Sequence, residues 1–257
     1  MRMSDQKIVE ALAAARLSGE KLYEYPGPAP QDMTKAFAIQ CAVRDRLGWK
    51  HAGWKIGCTS QKAQAALKAE GPFPGPIYQE RLFRSGAHIG THASNSRTTE
   101  PEIAFTLAQD LPGRRGAYSV DECLAAVATV HPAIEIVNPR LPKGFDDIVE
   151  WYVADGGLND ALALGVGVAP LARAQYAKIE VRVQINGIEK YVGIGANALG
   201  GPELAFTWLA NHLIGRDHHL RAGDVVTTGV ITGIFDTMPG DEVLADYTLL
   251  GAVSVKL

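Results

Sequence analysis

The chain has 257 residues, 47% of them hydrophobic, with 25 Lys/Arg against 28 Asp/Glu and a net charge of −3. A core is affordable at this length without disulfides or a structural metal, so any bound metal would serve function. The lack of a Lys/Arg block excludes nucleic acid as the main partner. Three cysteines (Cys41, Cys58, Cys123) without a C-x-x-C exclude a disulfide framework or thiolate zinc site. No apolar run reaches the roughly 18 residues of a membrane span and the N-terminus has no signal core, so the expected setting is cytoplasmic, with no membrane partner.

In chain order, Ser4 is placed to cap a helix with Ile8, Ala11, Leu12 and Ala15 on one face, and Asp32 a second helix to about Leu47. Between them Tyr25-Pro26-Gly27-Pro28-Ala29-Pro30 is a breaker. Residues 1–50 thus form a small helical subdomain, and residues 51–257 the body. Trp54, Ile56 and Cys58 alternate with Lys55 and Gly57, as in a half-buried strand. Ser60 opens a short helix ending near Glu70-Gly71, and the Pro/Gly-rich stretch from Gly71 to Pro76 reads as a loop. Strands are predicted over 98–108 and 133–138. Between them Ser119 and Glu122 form a capping-box signature for a helix to about Val130. Two alternating apolar runs flank Asn186-Gly187, a hairpin signal. Pro202 starts a helix through Ile214, and the tail from Asp224 is strand and turn. Early helices and later strands, without strict βαβ alternation, predict an α+β fold with a β-rich body.

The sharpest chemical pattern is Thr99-Glu100-Pro101-Glu102-Ile103. Residues two apart on a strand share a face, so Glu100 and Glu102 project together. Glu135 stands alone in the apolar run Ala133-Ile134-Glu135-Ile136-Val137 and needs a partner if buried. One divalent cation held by Glu100, Glu102 and Glu135 answers both, and an all-oxygen donor set suits Mg²⁺ or Mn²⁺. The pattern alone leaves open a solvated Glu100/Glu102 pair, with Glu135 paired to an Arg such as Arg140. Lys55 is either a solvent-facing strand residue or a cation beside that centre, where desolvation would lower its pKa and suit it to proton transfer. The close glycines from Gly193 to Gly200 lack G-x-G-x-x-G spacing and do not signal a dinucleotide. His51, His131, His218 and His219 show no ligand spacing.

Several blocks occur in a familiar order: Gly53-Trp54-Lys55-Ile56-Gly57-Cys58-Thr59-Ser60, the Glu-x-Glu-Ile-Ala-Phe segment at 100–105, His131 to Val137, Val153-Ala154-Asp155, and Gly200 to Gly229. The chain resembles, over nearly its whole length, the hydratase/decarboxylase branch of the fumarylacetoacetate hydrolase superfamily. The resemblance implies that family's β-rich fold, an oligomer of identical chains, and a Mg²⁺ or Mn²⁺ site at Glu100, Glu102 and Glu135. It further implies a small 2-oxo acid substrate met by Lys55, with Thr232 in the loop for the substrate carboxylate and Asp155, followed by Asn159, in a segment resembling V-A-D-N. Ordinary turn chemistry is an equal reading of Thr232, and Gly156 replaces the family's Asn. The implied reaction is hydration of a 2-oxo-4-enoate, formed from a 2-hydroxydienoate, to a 4-hydroxy-2-oxo acid by way of a stabilised enolate. Decarboxylation of a 4-oxalocrotonate-type diacid and C–C cleavage of an acylpyruvate are the alternatives, and a metal-carrying binding protein is the non-enzymatic one. Family hydratases carry P-D-F-G where this chain has Pro72-Phe73-Pro74-Gly75. Phe73 cannot transfer a proton, which leaves Glu80 as the nearby candidate acid or base.

Overall fold

The structure, a computed structural model, describes residues 3–92, 95–216 and 218–257. Its helices are α1 (Met3–Ser18), α2 (Met33–Leu47), α3 (Gln61–Leu67), α4 (Val120–Ala125), α5 (Val149–Ala154), α6 (Arg173–Tyr176) and α7 (Pro202–Ile214). Its strands are β1 (His51–Gly57), β2 (Phe73–Tyr78), β3 (Leu82–Arg84), β4 (Ala87–His88), β5 (Thr98–Leu107), β6 (Val127–Val137), β7 (Asn159–Leu164), β8 (Glu180–Ile185), β9 (Ile188–Ile194), β10 (Val225–Thr227), β11 (Phe235–Asp236), β12 (Glu242–Tyr247) and β13 (Gly251–Lys256).

Two sheets carry the α+β body. The larger runs β2-β1-β10-β5-β6-β7-β3, with β11 also on β5; the smaller runs β4-β13-β12-β8-β9. β12 and β13 pack on β6, and the Tyr247 hydroxyl donates to the Ala133 carbonyl at 2.8 Å. The main core lies among the two sheets and α7, where Phe105 stacks on Phe206. A second apolar cluster joins α1 and α2 (Ile8, Leu12, Ile39, Val43) to Tyr78, Leu141 and Trp151 of the body. Ala36 and Phe37 of α2 enter the main core, so the N-terminal helices are packed into the body.

Local chemistry explains several boundaries. Asp32, Ser60 and Ser119 each accept a backbone N–H at a helix start, a cap worth about 1 kcal/mol. Ser4 falls inside α1 rather than before it. Asn186 and Gly187 both have positive φ, as a type I′ hairpin turn requires.

Three further sequence expectations fail. The 71–76 segment is largely strand: β2 accommodates Pro74 and Pro76 because it is an edge strand, where a missing N–H costs no ladder bond. The helix after Ser119 ends at Ala125, and β6 has begun by Val127, because pairing with β5 overrides local helix preference. β1 is buried on both faces rather than half-buried, since the larger sheet is covered on both sides there.

Candidate metal and substrate site

Glu100 and Glu102 share one face of β5, and Glu135 of β6 is the cross-strand partner of Glu100. Each of the three offers an oxygen within 4.8 Å of the others. Like charges directly opposite on a sheet are destabilising. Here Glu102 and Glu135 are also 0% exposed, and Glu100 is only partly open.

The strand neighbouring β5 is interrupted at this centre. β10 pairs with residues 104–106 and β11 with 98–99, leaving 100–103 to the intervening loop. That loop donates Thr228 N–H to the Ile103 carbonyl and Ile231 N–H to the Pro101 carbonyl. In an antiparallel strand a residue's N and O face the same neighbour, so the missing N–H of Pro101 falls at the interruption. The loop also donates Gly229 N–H to Glu102 Oε2 at 2.8 Å. Gly229 has φ +97°, and a Cβ there would lie 2.0 Å from Thr59 Oγ1, so glycine alone lets the loop sit this close.

The larger sheet curls until β2 contacts β7 and the 156–158 turn, and Lys55 reaches across the inside of the curl. Its side chain runs past Gly75 and Gly157, where added Cβ atoms would lie 3.0 Å from its Cγ and 3.3 Å from its Cδ. Lys55 Nζ lies 3.3 Å from Glu135 Oε2 and 4.0 Å from Glu100 Oε2. The residue is only 3% exposed, so the solvent-facing alternative is wrong. Burial alone would lower its pKa, but Glu135, Glu100 and Glu102 outweigh burial and raise it, holding the ammonium charged.

Asn159 of β7 donates its amide to Glu135 Oε1 at 2.8 Å. Glu102 Oε1 and Glu135 Oε2 accept no hydrogen bond, although the latter lies in ion-pair contact with Lys55. One ammonium thus faces three buried carboxylates. Burial, tempered by Lys55, pushes Glu100 up to about 7; burial and its two neighbours hold Glu102 well above the usual carboxylate range. One oxygen with no partner, a second held only by the Lys55 ion pair, and a single ammonium for three buried carboxyls fit a hard divalent cation, because buried unpaired carboxylates are costly without one.

Lys55 and Glu100 border a cavity of about 240 Å³ whose other walls are mainly apolar, among them Ala63, Leu67, Phe73, Val137, Phe145 and Ile234. Cys58, at φ +61°, also lines it.

Three sequence candidates lie elsewhere. Glu80 is exposed and accepts the Lys50 N–H with both oxygens, because the turn after β2 carries it back to the start of β1; it does not reach the cavity. Both carboxylate oxygens of Asp155 are engaged by Arg140, through its backbone N–H at 2.9 Å and its guanidinium at 3.2 Å, so Asp155 is not turned to substrate. Thr232 donates its hydroxyl to the Gly233 carbonyl, leaving Val230 and Ile234 to face the cavity. Arg140 serves Asp155 and Asp160 and does not pair with Glu135. Sequence reasoning assigned no role to Asn159, to the Gly156-Gly157 turn or to the α3 wall. The glycine doublet was a visible signal; the wall had none, since it depends on how α3 lies over β1.

A polar centre at the floor of a small apolar cavity in an α+β body is the architecture of an enzyme for small substrates. The chain belongs to the fumarylacetoacetate hydrolase family: the fumarylacetoacetate (FAA) hydrolase C-terminal family matches residues 63–257. It is 30% identical over 230 residues to a 4-oxalocrotonate decarboxylase of Pseudomonas sp. (strain CF600), covering 88% of this chain and 86% of the relative. It is 29% identical over 237 residues to a 2-keto-4-pentenoate hydratase of Burkholderia vietnamiensis (strain G4 / LMG 22486), covering 89% of each. The fold matches the 4-oxalocrotonate decarboxylase of Pseudomonas putida G7 complexed with magnesium and adipate, with TM-score 0.88, 26% identity and coverage of 100% and 98%. Hydratase names are the more common among the relatives, and the chain is an enzyme of the lyase class. Among the described residues no helix is long and apolar enough to cross a membrane.

Proposed function

We propose that the chain is a divalent-cation-dependent hydratase, converting a 2-hydroxydienoate through its 2-oxo tautomer into a 4-hydroxy-2-oxo acid. The observation that carries this reading is the charge deficit at Glu100, Glu102 and Glu135, two of whose buried oxygens lack hydrogen bonds. These residues would hold Mg²⁺ or Mn²⁺. Bound there, the cation supplies Lewis-acid polarisation of the substrate's 2-oxo group and a counter-charge for its carboxylate.

The chain's own groups do the rest. Gly229 N–H and the Asn159 amide fix Glu102 and Glu135 from behind, leaving one oxygen of each free to face the centre. Lys55 carries its proton at Nζ and meets the substrate carboxylate or the oxygen that gains charge as the 2-oxo group enolises. The apolar walls exclude water other than the molecule that adds. In the balanced reaction the dienol hydroxyl gives up its proton and C5 gains one; water then adds its hydroxyl at C4 and a proton at C3.

One observation favours a second reading, decarboxylation of a 2-oxo diacid. Phe73 walls the cavity where family hydratases carry an acid, and among the described residues Glu100 is the only carboxylate that lines it. Assays with 2-hydroxypentadienoate, 4-oxalocrotonate and acetylpyruvate, with Mg²⁺ or Mn²⁺ present, separate the readings. Turnover of the first supports the hydratase, and turnover of the diacid alone moves the assignment to decarboxylase. No turnover of any would leave a binding protein.

The chain is also proposed to act as a homo-oligomer. Ile188, Val192 and Ile194 are exposed on the edge strand β9, where an unpaired apolar edge invites another chain. A monomeric mass by light scattering at micromolar concentration would refute this.

A further inference from the structure

We infer that this site takes a 2-oxo acid whose tail is uncharged, and that it discriminates against 2-oxo diacids of the same length. The inference rests on the small 2-oxo acid reading above and narrows it.

Among the described residues the cavity has one cationic group, Lys55, and its ammonium lies against Glu135 and Glu100 at the acid centre. The remaining polar groups, among them the Thr59 and Ser60 hydroxyls, are uncharged. The Ser60 hydroxyl caps α3 by accepting Ala63 N–H, and the Tyr152 hydroxyl donates to the Phe145 carbonyl at 2.5 Å. Burial pushes the Cys58 thiol up to about 11, so it carries no charge at neutral pH. α3 turns Ala63, Ala66 and Leu67 toward the cavity, while Lys62 and Lys68 are exposed and face elsewhere. A carboxylate at the far end of a bound substrate would therefore leave water without a cationic partner, and Glu100 would repel it. A methyl or alkyl terminus meets Leu67, Phe73, Val230 and Ile234 at no such cost. The volume, about 240 Å³, equals roughly eight water volumes of about 30 Å³ each, the scale of a five- to seven-carbon acid.

Turnover alone cannot test this, because an apolar wall that binds a carboxylate poorly also hastens its loss as CO₂. The decisive probes are unreactive saturated acids with the same head and six carbons: 2-oxohexanoate, ending in a methyl, and 2-oxoadipate, ending in a carboxylate. Binding to the Mg²⁺-loaded protein is measured by calorimetry. The expected result is tighter binding of 2-oxohexanoate by about 100-fold, the scale of an uncompensated polar group in an apolar site. Ile234 is 52% exposed at the mouth, so Ile234→Arg adds a cation there without emptying the core. That variant should narrow the preference by about tenfold or more, the usual worth of a charge-assisted pair. Equal or tighter binding of 2-oxoadipate by the wild type, or no binding of 2-oxohexanoate, overturns the inference. An unchanged ratio in Ile234→Arg overturns the missing charge as its cause. Failure of the hydratase reading is seen separately, as absent turnover of 2-hydroxypentadienoate by protein that binds the analogues as expected.

Discussion

Two buried ionic clusters lie within one chain and are built in opposite ways. In the first, fully buried Arg140 pairs with Asp155 and Asp160, Arg81 adds a second cation to Asp160, and Arg16 donates to the Asp155 carbonyl. Every carboxylate oxygen has a donor: Asp155 takes two from Arg140, and Asp160 one each from Arg140 and Arg81. Burial alone would raise Asp160, but Arg140 and Arg81 outweigh it and hold that carboxyl below its usual value. In the second cluster, Lys55 faces Glu100, Glu102 and Glu135, and two buried oxygens are left over. A cluster whose carboxylate oxygens all have donors holds the fold; one with oxygens left over retains a capacity to bind. Removing a partner from the first should therefore be irreparable, whereas a cation in solution should repair damage to the second.

The largest expected effect is at Glu102. Glu102→Gln should cut turnover by roughly 10³-fold, the scale of a lost electrostatic element in catalysis. The variant should also lose most of the rise in Tm that Mg²⁺ or Mn²⁺ gives the wild type, and melt higher than wild type in chelator because one of three crowded, buried carboxyls is gone. A chelator that leaves wild-type turnover unchanged would break the comparison from the other side. Next comes Arg140→Met, which leaves Asp155 and Asp160 short of their cation and should cost about 3–5 kcal/mol of stability. Its cation-induced Tm rise should persist, since Arg140 touches none of the three glutamates. Lys55→Met should cut turnover by roughly 10²-fold, as for a charge-stabilising or proton-handling group. Its stability in chelator should fall and recover on adding Mg²⁺; a loss that no cation repairs would put Lys55 in the same structural class as Arg140.

The second cluster was more legible in the sequence than the first. Glu100-x-Glu102 advertises a shared face through the two-residue strand period, and Glu135 stands out because its neighbours are apolar. Nothing local marked Arg140 as the partner of Asp155 and Asp160, because that pairing depends on the turn after β6 and on α5 folding back beside β7. Asp155 was accordingly assigned to substrate and Glu80 to proton transfer, although each already has backbone or side-chain partners. Lys55 was ambiguous for a related reason: whether a strand lysine meets water or an acid centre depends on the curl of the whole sheet. Helix starts and the hairpin were readable because capping and turn chemistry are local. β2 was missed because prolines are punctuation everywhere except at a sheet edge, and edges are not visible in one strand's sequence.

The smallest expected effect sharpens the comparison with a third kind of buried polar group, one kept neutral. His51 and His212 sit among aromatic rings, His51 edge-on to Trp54 and His212 beside Phe37 and Trp208. Burial, reinforced by Arg44, Arg221 and His218, lowers His51 to about 4; burial and Arg216 lower His212 to about 4. In the unfolded chain each titrates near 6.5. Below that pH the unfolded state takes up protons that the folded state refuses, so this stability is present above about 6.5 and is lost as pH falls toward 4. Neither ring is fully enclosed, so the combined loss should be on the order of 1–3 kcal/mol. Melting the Mg²⁺-loaded protein between pH 7.5 and 5 spans the range in which the imidazoles of the unfolded chain take up protons while those of the folded chain stay neutral. His212→Asn should flatten the fall in Tm across that window even though it lowers Tm at pH 7.5 by removing a packed ring. A slope unchanged in the variant would mean that His212 is already exposed to protons in the folded protein, and the acid limb would then belong to other groups.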